Sequence, residues 1–566
     1  MGFMRKSITR SLDFFSVIIQ LILCQLLTVF YFEVAPLSLK IFFTPALVYF
    51  YFYLFKTIFS RQSSVKIYRS GSKLKPIDKC NLLSVFFIGV WAIWTVLKSS
   101  YGQLMQIAMY GWDFVGHYGV FRWGINNWSM ISTSEIRNSS VIESHLDSDY
   151  PQTWALWGSI FFKWVPDNNV SILKAFLIFS ILTMLVAYLT FYISLKQFRD
   201  SRSRNSVKSR IIYALTFVLV LHFIAFCWST SSPHFALATA FVFRSVLLIK
   251  RSRGLSDSTN EIIMLILSAY IIYPLTIVMC GIFLKELLIK LLINFRFREK
   301  SFLNLNLFFL AALVSIIATL LIKNERAMPL MEMLQSYGGV DFPSVVILFL
   351  ILLVIIVHLF FTSDNQQNIN VLILWIPVAL IDVFLIFQKG FISYYGAKLS
   401  ICFSLVFMAY LISFSDSYNL SRSFRRYGLA AFLFLSICLA ISSVSNKAEI
   451  FWQDAFKSSL PAAIYRLQFD YSVKPGWVDG ENLAYQLKLS SFDSSYKPVF
   501  TGGYPYLANM WLILINRYPS ELWYGSISHG EKMYSPTNFI SRDTTNSERT
   551  KYLKNYPYVS LILNKS

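Results

Sequence analysis

A polar, aromatic segment, Tyr101–Asn168, lies between two strongly apolar stretches and gathers acids, a histidine and phenols in one place. Its first element is Gly111-Trp-Asp-Phe-Val-Gly-His-Tyr. The i, i+4 spacing of Asp113 and His117 puts both on one face of a helix. A carboxylate close to a bilayer and walled by Trp112, Phe114 and Tyr118 is disfavoured in its ionised form, which suits a general base. The plain alternative is an acid that caps a juxtamembrane helix or faces water. The second element is His145-Leu-Asp-Ser-Asp-Tyr-Pro-Gln-Thr-Trp. Pro151 fits the first turn of a helix, with Asp149 or Tyr150 at its start. Asp147 and Asp149 suit a metal ion, an acceptor hydroxyl, or simply the positive end of a helix. The aromatic run that follows, with Trp154 near its beginning, predicts an interfacial helix carrying a tryptophan belt.

Cations form the next group. Gln388–Lys398 holds Lys389 and Lys398 around Tyr394 and Tyr395. Two cations and two phenols are suited to a lipid phosphate, or else to snorkelling at an interface. Lys323–Phe342 adds Arg326 as a further phosphate ligand, with Glu325 and Glu332 suited to sugar hydroxyls, or forms an ordinary loop with an ion pair. Arg244 and Asp382 fall inside apolar stretches, where charge is costly and faces a partner in the interior. For both, structural pairing is the better reading. His234, after Ser231-Ser-Pro, is expected at the end of a span.

These residues hang on a frame that composition defines. The chain of 566 residues is 55% hydrophobic and 17% aromatic, with a mean hydropathy of +0.53 and 14% charged residues. Soluble proteins carry about 25% charge; this balance predicts a polytopic membrane protein. The net charge of +21 resides in short loops between apolar runs, and no nucleic-acid motif accompanies it, so nucleic acid is not an expected partner. The six cysteines lie in or at the edge of apolar runs without metal-ligand spacing, so neither disulfides nor structural zinc are expected. The basic N-terminus precedes an apolar run without a small-residue cleavage site, which reads as a retained first helix.

Apolar runs predict about thirteen spans, at 14–33, 39–58, 81–99, 170–195, 211–229, 235–249, 259–272, 274–294, 302–322, 343–362, 370–387, 400–415 and 429–444. The pair 259–294 reads either as a hairpin turning at Tyr273-Pro274 or as one long bent helix. With this arrangement the basic segments Met1–Leu12, Lys56–Lys79, Lys196–Arg210, Lys250–Arg253, Arg296–Lys300 and Arg422–Arg426 all fall on one side, the cytoplasmic one. Tyr101–Asn168, Lys323–Phe342, Gln388–Lys398 and the C-terminal region then face outward. The expected fold is an all-α polytopic membrane bundle over residues 1–444, including the outer loop 101–168. A small α+β domain over 445–566 follows, marked by turn signals such as Lys474-Pro-Gly and Thr501-Gly-Gly-Tyr-Pro.

The Trp-Asp-x3-His element, the acid-Tyr-Pro element and the aromatic helix after it, followed by many spans, resemble the GT-C superfamily of membrane glycosyltransferases. Tyr394-Tyr395-x-x-Lys398 is similar to bacterial arabinofuranosyltransferases within that superfamily. In this chain Gln152 stands where many members have a second proline, and Phe114 follows Asp113 where some have a second acid. The resemblance by motif covers about residues 105–195 and is architectural beyond that. It implies a GT-C-like bundle and an inverting transferase in the cytoplasmic membrane. The donor would be a polyprenyl-phosphate-linked monosaccharide and the acceptor a cell-surface glycan or glycolipid. Asp113 would be the base, with Asp149 as the alternative, and His117 would orient Asp113 or the acceptor. Lys389, Lys398 and Arg326 would hold phosphate, and Asp147, Tyr150, Trp154, Tyr394 and Tyr395 would line the substrate site. One or two carboxylates of unfixed geometry do not define a metal site, so a divalent cation is an open alternative and no other cofactor is expected. The rival readings are a polysaccharide polymerase or ligase, and a non-enzymic transporter or flippase.

Overall fold

A computed structural model describes residues 18–34, 76–108, 113–127, 153–201, 207–229, 231–251, 256–273, 498–500, 538–541 and 560–563, with single positions within 44–55, at 276 and within 398–409. Residues 18–29 are helical and open into a π turn over Phe30–Val34. Eight α-helices follow among the described residues. They are α1 Pro76–Lys98, α2 Tyr101–Ala108, α3 Asp113–Asn127, α4 Thr153–Phe161, α5 Asn169–Ser201, α6 Val207–Ser229, α7 Pro233–Arg251 and α8 Ser256–Ile272. Three short strands, β1 Pro498–Phe500, β2 Asn538–Ser541 and β3 Ser560–Leu563, form a parallel sheet in that order. Its register sets Val499 beside Phe539 and Ile540 beside Ile562.

Two helical stretches, Asn81–Lys98 and Asn169–Lys196, are long and apolar enough to cross a membrane. They coincide with the runs expected at 81–99 and 170–195. Ile18–Phe32, Thr216–Trp228 and Pro233–Leu248 are shorter apolar helices at three further expected positions. α8 stops at Ile272, and Thr276 turns back to the Tyr273 carbonyl through both its backbone N–H (3.0 Å) and its hydroxyl (2.7 Å). Pro274 restricts the residue before it to extended backbone, which explains the stop. The expected spans at 302–322, 343–362, 370–387 and 429–444 lie outside the described residues, as do Asp382 and the loop Lys323–Phe342.

Helix starts follow from local chemistry. Ser100 and Gln103 form a reciprocal capping box at the head of α2: the Gln103 N–H donates to the Ser100 hydroxyl (3.2 Å) and the Ser100 N–H to the Gln103 side-chain oxygen (2.6 Å). Asn168 caps α5, accepting from the Ser171 N–H at 2.8 Å. α7 opens on Pro233, whose missing N–H costs nothing at that position. The turn before it is a Schellman closure of α6, with Ser232 N–H on the Cys227 carbonyl (2.7 Å) and Ser231 N–H on the Trp228 carbonyl (3.2 Å). Ser231 takes the left-handed conformation, φ 58°, that glycine usually fills.

The chain divides into two compact units: Met1–Phe87, Thr183–Ile224 and Pro233–Val444 form the first, and Ile88–Leu182, Ala225–Ser232 and Ser445–Ser566 the second. In the first, α7 and α8 pack side by side, and Phe191, Phe223, Phe235 and Phe243 interleave edge to face with centroids 5.0–6.0 Å apart. In the second, α3 packs on α4 and both close on the first half of α5.

Candidate functional site

Among the described residues, the segment expected as one outer loop contains three helices, α2, α3 and α4, whose apolar residues recur with helical period. On α3 the residues Phe114, His117, Tyr118, Phe121 and Ile125 fall on one stripe and all are buried. Phe114 meets Phe176 (5.2 Å) and Trp228 (6.0 Å), and Phe121 meets Phe176 (5.4 Å) and Phe179 (6.0 Å). Trp154 on α4 stacks on Phe179 at 4.9 Å and sets its edge against His117 at 5.0 Å. Aromatic pairs of this geometry contribute about 0.5–1.5 kcal/mol each beyond the area they bury.

Two glycines permit the close approach. A Cβ on Gly124 of α3 would fall 2.9 Å from the Ser159 Cβ and 3.0 Å from a Leu156 methyl of α4. A Cβ on Gly158 of α4 would collide with the edge of the Phe179 ring of α5. Small residues at a crossing let helix backbones come together.

Asp113 opens α3 and stands one turn ahead of His117, as their spacing predicts. His117 has no exposed surface. α4 differs from the expected interfacial helix: Thr153 to Ser159 are buried, with Trp154 fully enclosed. The glycine crossings draw its tryptophans inward, and the exposed aromatics lie at its end, at Phe161 and Trp164. Trp164 is 78% exposed and its indole N–H caps the α4 carboxyl end at Phe161 (2.7 Å). Asp147, Asp149, Tyr150, Arg326, Lys389, Tyr394 and Tyr395 lie outside the described residues.

A polar group that motif reading passed over sits on the same helix. Tyr118 and Arg122 are one turn apart on α3. Burial pushes the Tyr118 phenol up to about 12, opposed by the Arg122 guanidinium beside it and reinforced by the charge of Asp167. Tyr101, at the head of α2, is raised as well, first by burial and then by the Tyr118 phenol, against the pull of Arg122. The Tyr101 phenol oxygen and the Trp123 indole nitrogen are buried with no hydrogen-bond partner among the described residues. A buried polar atom in that condition costs about 1–3 kcal/mol. The signal available in the sequence was the i, i+4 pair of phenol and guanidinium.

The first unit holds buried charge. Arg244 donates through Nε (2.8 Å) and Nη2 (2.6 Å) to one carboxylate oxygen of Glu261, and through Nη1 to the Ser194 hydroxyl at 3.3 Å. The expected structural pairing of Arg244 is thus with an acid that the sequence reading did not single out. Lys398, expected on the outer side as a phosphate ligand or a snorkelling anchor, is buried, its ammonium 5.6 Å from the Phe235 ring and 5.4 Å from the Tyr273 ring. A desolvated cation over two ring faces is held by their quadrupoles. His234, also buried, lies 5.4 Å from the same Tyr273 ring. Among the described residues no group of three or more His, Cys, Asp or Glu side chains is placed to hold a metal ion. Comparison with protein-family models, with curated proteins and with solved structures finds no match.

Proposed function

We propose that this chain is a multi-pass glycosyltransferase of the GT-C kind, with its N-terminus cytoplasmic and its C-terminus outside. Its donor is a polyprenyl-phosphate-linked monosaccharide and its acceptor a cell-surface glycan or glycolipid. The reading includes about thirteen spans and a small α+β outer domain, to which the sheet β1–β3 would belong. The observation that carries it is the contact of His117 with Trp154. The Trp-Asp-x3-His element and the helix after the acid-Tyr-Pro element are the two stretches that resemble the superfamily, and they pack against each other over the Gly124–Ser159 crossing. A membrane setting is supported by α1, whose Phe87 and Trp94 are 64% and 59% exposed on an apolar helix; hydrocarbon covers such a surface where water does not.

In this reaction Asp113 takes the proton of an acceptor hydroxyl. The acceptor oxygen forms a bond to the anomeric carbon as the bond from that carbon to the phosphate oxygen breaks. Polyprenyl phosphate leaves with the electron pair and the configuration inverts. His117, one turn along the same helix, orients the acid. Lys398, with Lys389 and Arg326, stabilises the charge that develops on the leaving phosphate.

The test is transfer of radiolabelled sugar from a polyprenyl-phosphate donor by the purified chain in detergent. Asp113→Asn is expected to lower turnover by about a hundredfold or more, the scale of a lost general base, with the folded yield unchanged. If wild type transfers no sugar, the transferase reading falls. If Asp113→Asn is active and Asp149→Asn is not, the base is Asp149.

A further inference from the structure

We infer that the end of α1 and the start of α5 form a site for an anionic phospholipid, with Lys98 and Lys174 on its phosphate and an exposed ridge of α1 along its acyl chains. The inference rests on the membrane setting and not on sugar transfer. On α1, Val90, Trp94 and Leu97 follow one another at i, i+4 and i+7, and with Trp91 they make an exposed apolar face. That face ends in cations. The Lys98 ammonium folds back over the Trp94 ring, 5.0 Å from its centroid. Lys174, in the second turn of α5, reaches across and donates to the Leu97 carbonyl at 2.7 Å. This contact holds a second ammonium against the backbone of the residue before Lys98. A lysine ammonium has three donors, and Lys174 uses one on Leu97. Among the described residues neither ammonium is in an ion pair with an acid. A snorkelling lysine extends towards water. Lys98 instead lies back over an exposed indole, and interfacial tryptophans sit at the level of lipid headgroups. Two cations without a counter-charge favour a headgroup of net negative charge over a zwitterionic one, whose own ammonium they repel. Phosphate oxygens accept from both lysines in charge-assisted hydrogen bonds, while Val90, Trp91 and Leu97 offer apolar surface to the chains.

The site is tested on the full-length chain in nanodiscs of dioleoyl-phosphatidylcholine. The probes are phosphatidylglycerol and phosphatidylcholine with dibrominated chains, which quench nearby tryptophans. The share of quenching that disappears in Trp94→Phe reports on the site, and the phenylalanine keeps a ring beneath Lys98. Brominated phosphatidylglycerol should quench that share at a mole fraction about fivefold or more below that of brominated phosphatidylcholine, the scale of one lysine near an anionic headgroup. Lys98→Gln should lose most of this preference, and Lys98→Gln with Lys174→Gln should abolish it. The amide of Lys174→Gln still donates to the Leu97 carbonyl, so the end of α1 keeps its cap. Lys98→Arg should retain the preference, and salt raised to about 1 M should weaken it. The inference is overturned if the two lipids quench the Trp94 share equally in wild type, if Trp94→Phe removes none of the anionic lipid's quenching, or if the double variant keeps the wild-type preference. Equal quenching by both lipids removes the site alone. Quenching of Trp94 by neither lipid removes the membrane setting of α1 together with the site. No transfer is measured, so the transferase reading stands or falls separately.

Discussion

The two units treat buried polarity in opposite ways. In the first, a full charge is enclosed with its counter-charge: Arg244 is neutralised by Glu261 and also donates to the Ser194 hydroxyl. In the second, the fully buried stripe of α3 contains no Asp, Glu, Lys or Arg: His117 and Tyr118 lie among phenylalanines and tryptophans, and the cation Arg122 stays at its half-buried margin. A neutralised pair holds helices in register and has little left to offer a substrate. The contrast is between a charge enclosed with its counter-charge and one held at the edge of a buried stripe, and it can be broken by substitution.

The largest effect is expected at Glu261. Glu261→Ala leaves Arg244 charged in the interior and should destabilise the fold by about 3–5 kcal/mol, read as a lower melting temperature in detergent. The double variant Glu261→Leu with Arg244→Met should recover most of the loss. A single variant that melts like wild type would mean the pair is solvated and the contrast between units unreal. Gly158→Val comes next. Its side chain would enter the Phe179 ring, and overpacking of this kind costs about 1–3 kcal/mol. An unchanged melting temperature would show that α4 and α5 part easily, which would free Trp154 for a ligand.

Tyr118 gives a pH test of the neutral stripe. Its phenol is raised from an ordinary value of 10.0 to about 12, so the fold favours the protonated form. Its contribution to stability is complete below pH 10 and is lost as pH rises towards 12. Tyr118→Phe should therefore flatten the alkaline limb of the stability profile in that window and leave neutral pH nearly unaffected. An identical limb in both proteins would place Tyr118 in contact with water. The smallest effect is at Ser231, whose φ of 58° suits glycine. Ser231→Gly should raise stability slightly or leave it level, within about 1 kcal/mol. A clear loss would mean that the serine side chain holds the turn against α6 in a way its backbone does not reveal.

Much of the local structure was legible in the sequence because its causes are local. Apolar length placed the stretches Asn81–Lys98 and Asn169–Lys196, spacing put Asp113 and His117 one turn apart, and a turn at Tyr273-Pro274 was one of the two readings open for 259–294. The aromatic run after Pro151 was read as helix, and α4 is one. Which way that helix faces was beyond the sequence, since a tryptophan suits lipid and core equally; Gly124 and Gly158 decided it by admitting the neighbouring helices. Charge pairing was likewise half legible. That Arg244 needed a partner follows from the cost of an ion in an apolar span. That Glu261 supplies it depends on how α7 and α8 align. The sequence by itself determined where helices run, because hydrophobic length, caps and proline act within a few residues. Only the tertiary structure decided that Trp154 stacks on Phe179 and meets His117, and that Lys398 meets Phe235 and Tyr273. Those meetings depend on how separate helices pack, which no spacing along the chain encodes.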